Sequence, residues 1–174
     1  MYPETVFWIR QGDYTDIRRW IMEDQVDFGF LASAVAGDLP HRELYREPLM
    51  AVLPEQHPLS QRSAVSMEEL AREAFIVLDE GEDSSVRDLF RRAGLSIREE
   101  YAVYDDYSIL AMVSQGLGVS VLFEKVLQGF ESGVAIRPIA GGPERRMVTA
   151  WRSQTLMPQA AQLFLKMLFA AYTP

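Results

Sequence analysis

Two short stretches hold most of the side chains that could do chemistry. Residues 78–85 read LDEGEDSS, placing four carboxylates (Asp79, Glu80, Glu82 and Asp83) directly ahead of two hydroxyls, Ser84 and Ser85. Residues 104–108 read YDDYS, with Tyr104 next to the adjacent carboxylates Asp105 and Asp106. Such groups accept hydrogen bonds from a polar ligand, and carboxylates can also bind a hard cation or exchange a proton. Each stretch also suits a plainer task. Asp and Ser cap helices by accepting from free backbone N–H groups, and acidic side chains favour helix amino ends. Two isolated residues join them: Asp13, after Gly12, and Phe123, at the end of an apolar run, where it can pack on a ligand or simply in the core.

The rest of the sequence narrows this chemistry. There is no cysteine, which excludes disulfides, thiolate metal sites and cysteine nucleophiles. The two histidines, His41 and His57, stand next to prolines in polar stretches, form no pair at ligand spacing and are expected to be exposed. No Ser/His/Asp motif, zinc spacing or phosphate loop is present, so neither an enzyme nor a resident metal or cofactor is expected. Residues 114–122, SQGLGVSVL, contain two glycines around Leu117 but not the G-x-G-x-x-G spacing. They also follow a helix and precede a strand, the reverse of a phosphate-binding loop. Gly116 is expected to stop the helix and Gly118 to open the strand.

Net charge is −8, which argues against a polyanion as this chain's own partner, because nucleic-acid binding needs a basic patch. The basic pairs Arg18-Arg19, Arg91-Arg92 and Arg145-Arg146 are expected on solvated faces. The carboxylates of residues 79–83 disfavour an anionic ligand and favour a cationic or neutral polar one. The amino end is interrupted by charges and does not read as a signal peptide, and no run approaches a membrane span. A cytoplasmic location away from membranes is the expectation.

Strand and helix signals alternate. Residues 5–11 predict a strand, 13–24 a helix capped by Asp13, and 28–31 a short buried strand, together a parallel β-α-β unit. After a looser stretch come a strand bounded by Pro48 and Pro54, a turn, and a short helix at 66–72 with Ser66 and Glu69 spaced as a capping box. A second β-α-β-α-β run follows: strand 75–78, helix 85–93 capped by Ser85 with Asp88 at capping-box spacing, strand 100–104, a helix capped by Asp105 or Asp106 and ending at Gly116, and strand 119–123. A helical piece at 124–130, strands at 134–139 and 147–152, and an apolar carboxyl-terminal helix complete the chain. This order predicts an α/β protein of two lobes, with residues 1–48 and 140–174 in the first and 49–139 in the second. In open α/β sheets ligands collect at the carboxyl ends of parallel strands, so the corners at 79–85 and 104–106 are the expected binding region, at a cleft between the lobes.

Several stretches, in order, resemble the effector-binding domain of LysR-type transcriptional regulators: VDFGF at 26–30, LYREPLMAVLPEQHPLS at 44–60, SMEELAREAFIVL at 66–78, VSQGLGVSVLFE at 113–124, and a closing helix beginning MPQAAQLFL. The resemblance runs from Tyr2 to Tyr172. It implies a two-lobed fold like the type 2 periplasmic binding proteins and a small-molecule effector in the interlobe cleft. It also implies a homo-oligomer, dimer or tetramer, whose arrangement on DNA responds to the effector, with helices 13–24 and 106–115 as expected contacts. DNA contact would fall to a winged helix-turn-helix ahead of this chain. In the family a further strand and helix precede the segment at which this chain starts, so the first lobe is expected to be incomplete at its amino end. The family's effector contacts map onto Asp13, onto Ser33 just past GFLA, and onto the loop with Glu82, Asp83, Ser84 and Ser85; Tyr104, Asp105 and Phe123 complete the candidate set. Two other classes share parts of this pattern: a transporter's solute-binding protein, which would need an export signal, and a small α/β enzyme using Asp105 or Glu82 as a base.

Overall fold

The computed structural model describes residues 4–81, 84–129 and 133–172. In chain order the elements are α1 (Tyr14–Met22), β1 (Gly29–Ala32), α2 (Ser33–Ala36), β2 (His41–Pro54), a 3-10 turn (Pro58–Gln61), α3 (Met67–Leu70), β3 (Ala74–Leu78), α4 (Ser85–Arg92), β4 (Arg98–Val103), α5 (Asp106–Ser114), β5 (Ser120–Phe123), α6 (Glu124–Leu127), β6 (Val134–Pro138), β7 (Glu144–Ala150) and α7 (Gln159–Ala171). They form two compact units: Met1–Arg46 with Arg146–Pro174, and Glu47–Arg145. The chain crosses from one to the other within β2 and back within β7.

In the first unit, Asp13 caps α1 by accepting from the Asp16 N–H at 2.7 Å. Ile21 then packs with Leu31, Ala36, Leu39, Val148 and Ala150, while Met157, Ala161 and Leu165 form a separate small core under α7. β1 runs antiparallel to β7, Gly29 opposite Ala150 and Ala32 opposite Met147. The expected parallel β-α-β unit is therefore absent. Residues 5–13 form neither helix nor strand, and Val6, Trp8 and Ile9 are at least 73% exposed. Their β-branched and aromatic composition suits a pleated, half-buried surface, and no described strand lies alongside to supply one.

The second unit has one large core, from Leu49 through Phe75, Phe90, Ile109 and Leu122 to Ile139. β2 is flanked by antiparallel β5 (Leu49 opposite Phe123) and antiparallel β6 (Val52 opposite Ile136). β2 is longer than its prolines suggested: Pro48 lies inside it, and the ladder is taken up at the next residue by the Leu49 N–H donating to Pro143 O at 2.9 Å. β3 and β4 run parallel, joined by α4, as the second β-α-β pattern predicts. The capping box of α3 forms with both of its bonds, Glu69 N–H to Ser66 Oγ and Ser66 N–H to Glu69 Oε2.

The glycine pair serves this unit's geometry. Gly116 adopts φ +77° and ends α5, with its N–H donating to Val113 O at 2.9 Å. Gly118 lies against β3, where a Cβ would fall 2.5 Å from the Ala74 carbonyl oxygen. That close approach lets the Val119 N–H donate to Ala74 O at 2.8 Å and the Ile76 N–H to Val119 O at 2.9 Å. The pair is thus a corner that brings the chain onto β3.

His57 is not exposed as expected. Its Nδ1 accepts from the Leu59 N–H at 3.2 Å, capping the 3-10 turn, and its Nε2 lies 3.6 Å from Glu73.

Candidate functional site

Parallel pairing sets the site. The Asp79 N–H donates to Val103 O at 2.8 Å, so the carboxyl ends of β3 and β4 finish side by side. Each then turns into a helix, and each turn is capped. Ser84, fully buried, accepts from the Arg87 N–H at 3.4 Å and starts α4. The cap falls one residue earlier than expected: Ser85 is the first helical residue, and Asp88 pairs with Arg91 instead of closing a capping box. Asp105 caps α5, accepting from the Ser108 N–H at 2.9 Å. Bonds from the Ser108 hydroxyl and backbone hold its carboxyl below the usual range.

Between these corners stands a side chain the sequence placed on a solvated face. The Arg145 side chain is only 15% exposed. Its Nε and Nη2 bond to Glu47 Oε2 at 2.9 and 2.8 Å, and its Nη1 lies 3.6 Å from Glu80 Oε1. Its guanidinium lies over the Phe123 ring, with Cζ 3.1 Å from the ring centroid. Glu47 is 1% exposed and spends its other oxygen on the Lys125 N–H at 3.1 Å, at the start of α6. The solvated-face reading fails because an arginine within reach of a buried carboxylate gains more from a bidentate pair than from water.

Glu80 accepts from the Ser85 N–H at 3.1 Å. Burial nevertheless pushes its carboxyl above the usual range, against the lowering effects of Ser85 and Arg145. Asp106 is raised as well, burial again being the largest cause, with Arg145 opposing. Its Oδ1 is buried with no hydrogen-bond partner among the described residues. Asp79 pairs instead with Arg87 at 3.1 Å, and Arg87 also binds Glu99.

Of the candidates, the structure gathers Ser84, Ser85, Asp105 and Phe123 around one corner region of the second unit. Phe123 is buried in the core at 1% exposure, with one ring face given to Arg145. Tyr104 lies at the same corner and is 83% exposed. Asp13 and Ser33 belong to the first unit, Asp13 as the exposed cap of α1 and Ser33 as the half-buried first residue of α2. Glu82 and Asp83 lie outside the described residues. Sequence reasoning missed Arg145 and Glu47. The available signal was a glutamate inside an apolar strand, REPLM, which is seldom buried without a cation.

Asp106→Asn provides a direct test of the electrostatics. The amide cannot ionise, so the burial penalty disappears. We expect stability at pH 7 to rise by roughly 0.5–1 kcal/mol, a small gain because the site is partly solvated. With a folded-state pKa above the unfolded one, the wild-type penalty is full above the folded value. The gain therefore shrinks as pH falls through that value and is gone below the unfolded pKa. Urea denaturation at a series of pH values reads this; a loss of stability at pH 7 would refute it.

The LysR substrate binding domain family model matches residues 1–172, and the chain belongs to that family. The fold is accordingly the α/β, type 2 periplasmic-binding-protein-like fold of these regulatory domains. YvbU of Bacillus subtilis (strain 168), an uncharacterized HTH-type transcriptional regulator, is 27% identical over 168 residues, which cover 95% of this chain and 57% of YvbU. The regulatory domain of CcmR from Synechocystis PCC6803, solved in complex with 2-PG, superposes with a TM-score of 0.81 at 24% identity, covering 92% of this chain and 80% of that one. The effector-binding domain of QuiR, solved with shikimate, gives a TM-score of 0.81 at 18% identity, covering 93% and 79%. The family and its relatives are transcriptional regulators, not enzymes. Among the described residues, no helix is long and apolar enough to cross a membrane.

Proposed function

We propose that this chain is the ligand-sensing domain of a LysR-type transcription factor. It binds a small polar effector at the β3 and β4 corners, in the interlobe cleft expected from the sequence, and occupancy changes the arrangement of a homo-oligomer on DNA. The observation that carries this reading is the convergence of Glu80, Ser85, Asp105, Asp106, Phe123 and Arg145 at the carboxyl ends of parallel strands, where α/β sheets hold ligands. Three carboxylates, Glu47, Glu80 and Asp106, meet one guanidinium there, which favours a neutral or cationic effector over an anion. Asp13 and Ser33 are proposed as contacts from the first unit. DNA is contacted by another part of the whole protein, since this domain carries a net charge of −8. A sensor of this kind needs an effector with different affinity for the two states of the oligomer.

Thermal-shift screening of the whole protein against small amines, amino acids, polyols and carboxylates tests the proposal. A ligand at about a hundred times its Kd stabilises the native state by about 2.7 kcal/mol, an easily read rise in Tm. The expected hit is an amine or neutral polar compound whose shift falls in Glu80→Gln and Asp106→Asn. Hits that ignore both substitutions would move the site elsewhere, and hits confined to carboxylates would overturn the effector class.

A further inference from the structure

Arg145 and Glu47 occupy a particular place in the chain. Glu47 is the first residue of the second unit and Arg145 the last, so their ion pair joins the two strands at the points where the chain crosses between units. The same guanidinium reaches Glu80 at the β3 corner and covers Phe123 at the end of β5. Glu47 in turn accepts from the Lys125 N–H in the first turn of α6. One side chain on β7 thus faces the proposed ligand corner with one nitrogen and binds Glu47 on β2 with its other two.

We infer that Arg145 is a positioning residue that relays the charge state of the corner to the two crossing strands. Resting on the effector-binding reading above, the inference adds the route by which occupancy leaves the site. The guanidinium gives hydrogen bonds to Glu47 and faces Glu80 as an ion pair at 3.6 Å, so its charge is shared between two carboxylates. When Glu80 is neutralised or engaged by a ligand cation, Arg145 commits more fully to Glu47 and the crossing tightens. When an added positive charge at the corner repels Arg145 without engaging Glu80, the bond to Glu47 is strained and the crossing loosens. The coupling is local and needs no displacement beyond a shift of the guanidinium over the Phe123 ring.

Hydrogen exchange, read by NMR on the full chain, tests the relay without an effector. Two amides report on the crossing: Lys125 N–H, bonded to Glu47, and Leu49 N–H, bonded to Pro143 O. We expect Glu80→Gln to slow exchange of both by roughly threefold, the scale of one partly exposed ion pair, and Glu80→Lys to accelerate it by a similar factor. In a Glu47→Gln/Arg145→Met background, which removes both partners of the pair at the crossing, the same Glu80 substitutions should leave both amides unchanged. If that background still responds, or if neither Glu80 substitution moves the wild-type amides, the relay is refuted. Because no ligand is used, this failure is distinct from failure of the effector reading, which the thermal-shift screen decides.

Discussion

Arg145→Met is expected to destabilise the protein by about 3–5 kcal/mol, the range for removing one partner of a buried ion pair. The reason is what remains. Glu47 is 1% exposed, and once its cation is gone it has lost the two bonds at 2.8 and 2.9 Å and retains the one from the Lys125 N–H. A buried carboxylate that has lost its counter-charge sits in a poor solvent for its charge, which costs stability. The paired substitution separates this cause from lost packing. In Glu47→Gln/Arg145→Met the amide oxygen still accepts from Lys125 and position 47 carries no charge, so the part of the loss due to Glu47 should return. Urea denaturation with unchanged m-values is the measurement. A single-variant loss below about 1 kcal/mol would show that Glu47 reaches water and that the pair is a surface bridge.

Phe123→Ala should cost about 3–5 kcal/mol as well, by a different mechanism. The ring is 1% exposed within the large core of the second unit, opposite Leu49 on β2, and truncation leaves a cavity that a β-sheet cannot close by collapse. It also removes the surface over which the Arg145 guanidinium lies at 3.1 Å, a contact worth about 0.5–2 kcal/mol when desolvated. Phe123→Leu restores much of the volume but none of the π face. It should therefore be markedly more stable than Phe123→Ala, yet still perturb the amide of Lys125 through Arg145. Equal stability of the two variants would mean that ring volume contributes nothing, contrary to the core assignment.

Local chemistry made much of this fold readable. Ser66 with Glu69, Asp13 with Asp16, and Asp105 with Ser108 each close bonds over three residues, so type and spacing suffice. The α4 cap moved from Ser85 to Ser84 because two adjacent serines satisfy the same local rule, and only the buried placement of Ser84 separates them. Residues 5–11 misled for the opposite reason. Strand formation depends on a neighbour, and none is specified by the residues themselves. The corners were legible because strand-to-helix order locates them. Their centre was not, because Arg145 stands 98 residues from Glu47 and only the meeting of two distant strands makes it a buried partner. Asp79 shows the same limit: its charge seemed part of the ligand corner and is instead spent on Arg87 and its neighbours.

The proline inside β2 gives the two crossings unequal mechanics. Pro48 follows Glu47, so its own φ is locked near about −65° by the ring, and Glu47 before it is held out of the helical region. Three successive torsions on that strand are thereby stiff. The β7 crossing, Arg145 to Arg146, contains neither proline nor glycine and keeps ordinary β freedom. A twist applied to the pair of strands is therefore taken up mainly by β7, with β2 acting as the fixed rail. The guanidinium that reads the corner sits on the compliant strand, and its buried carboxylate partner on the rigid one.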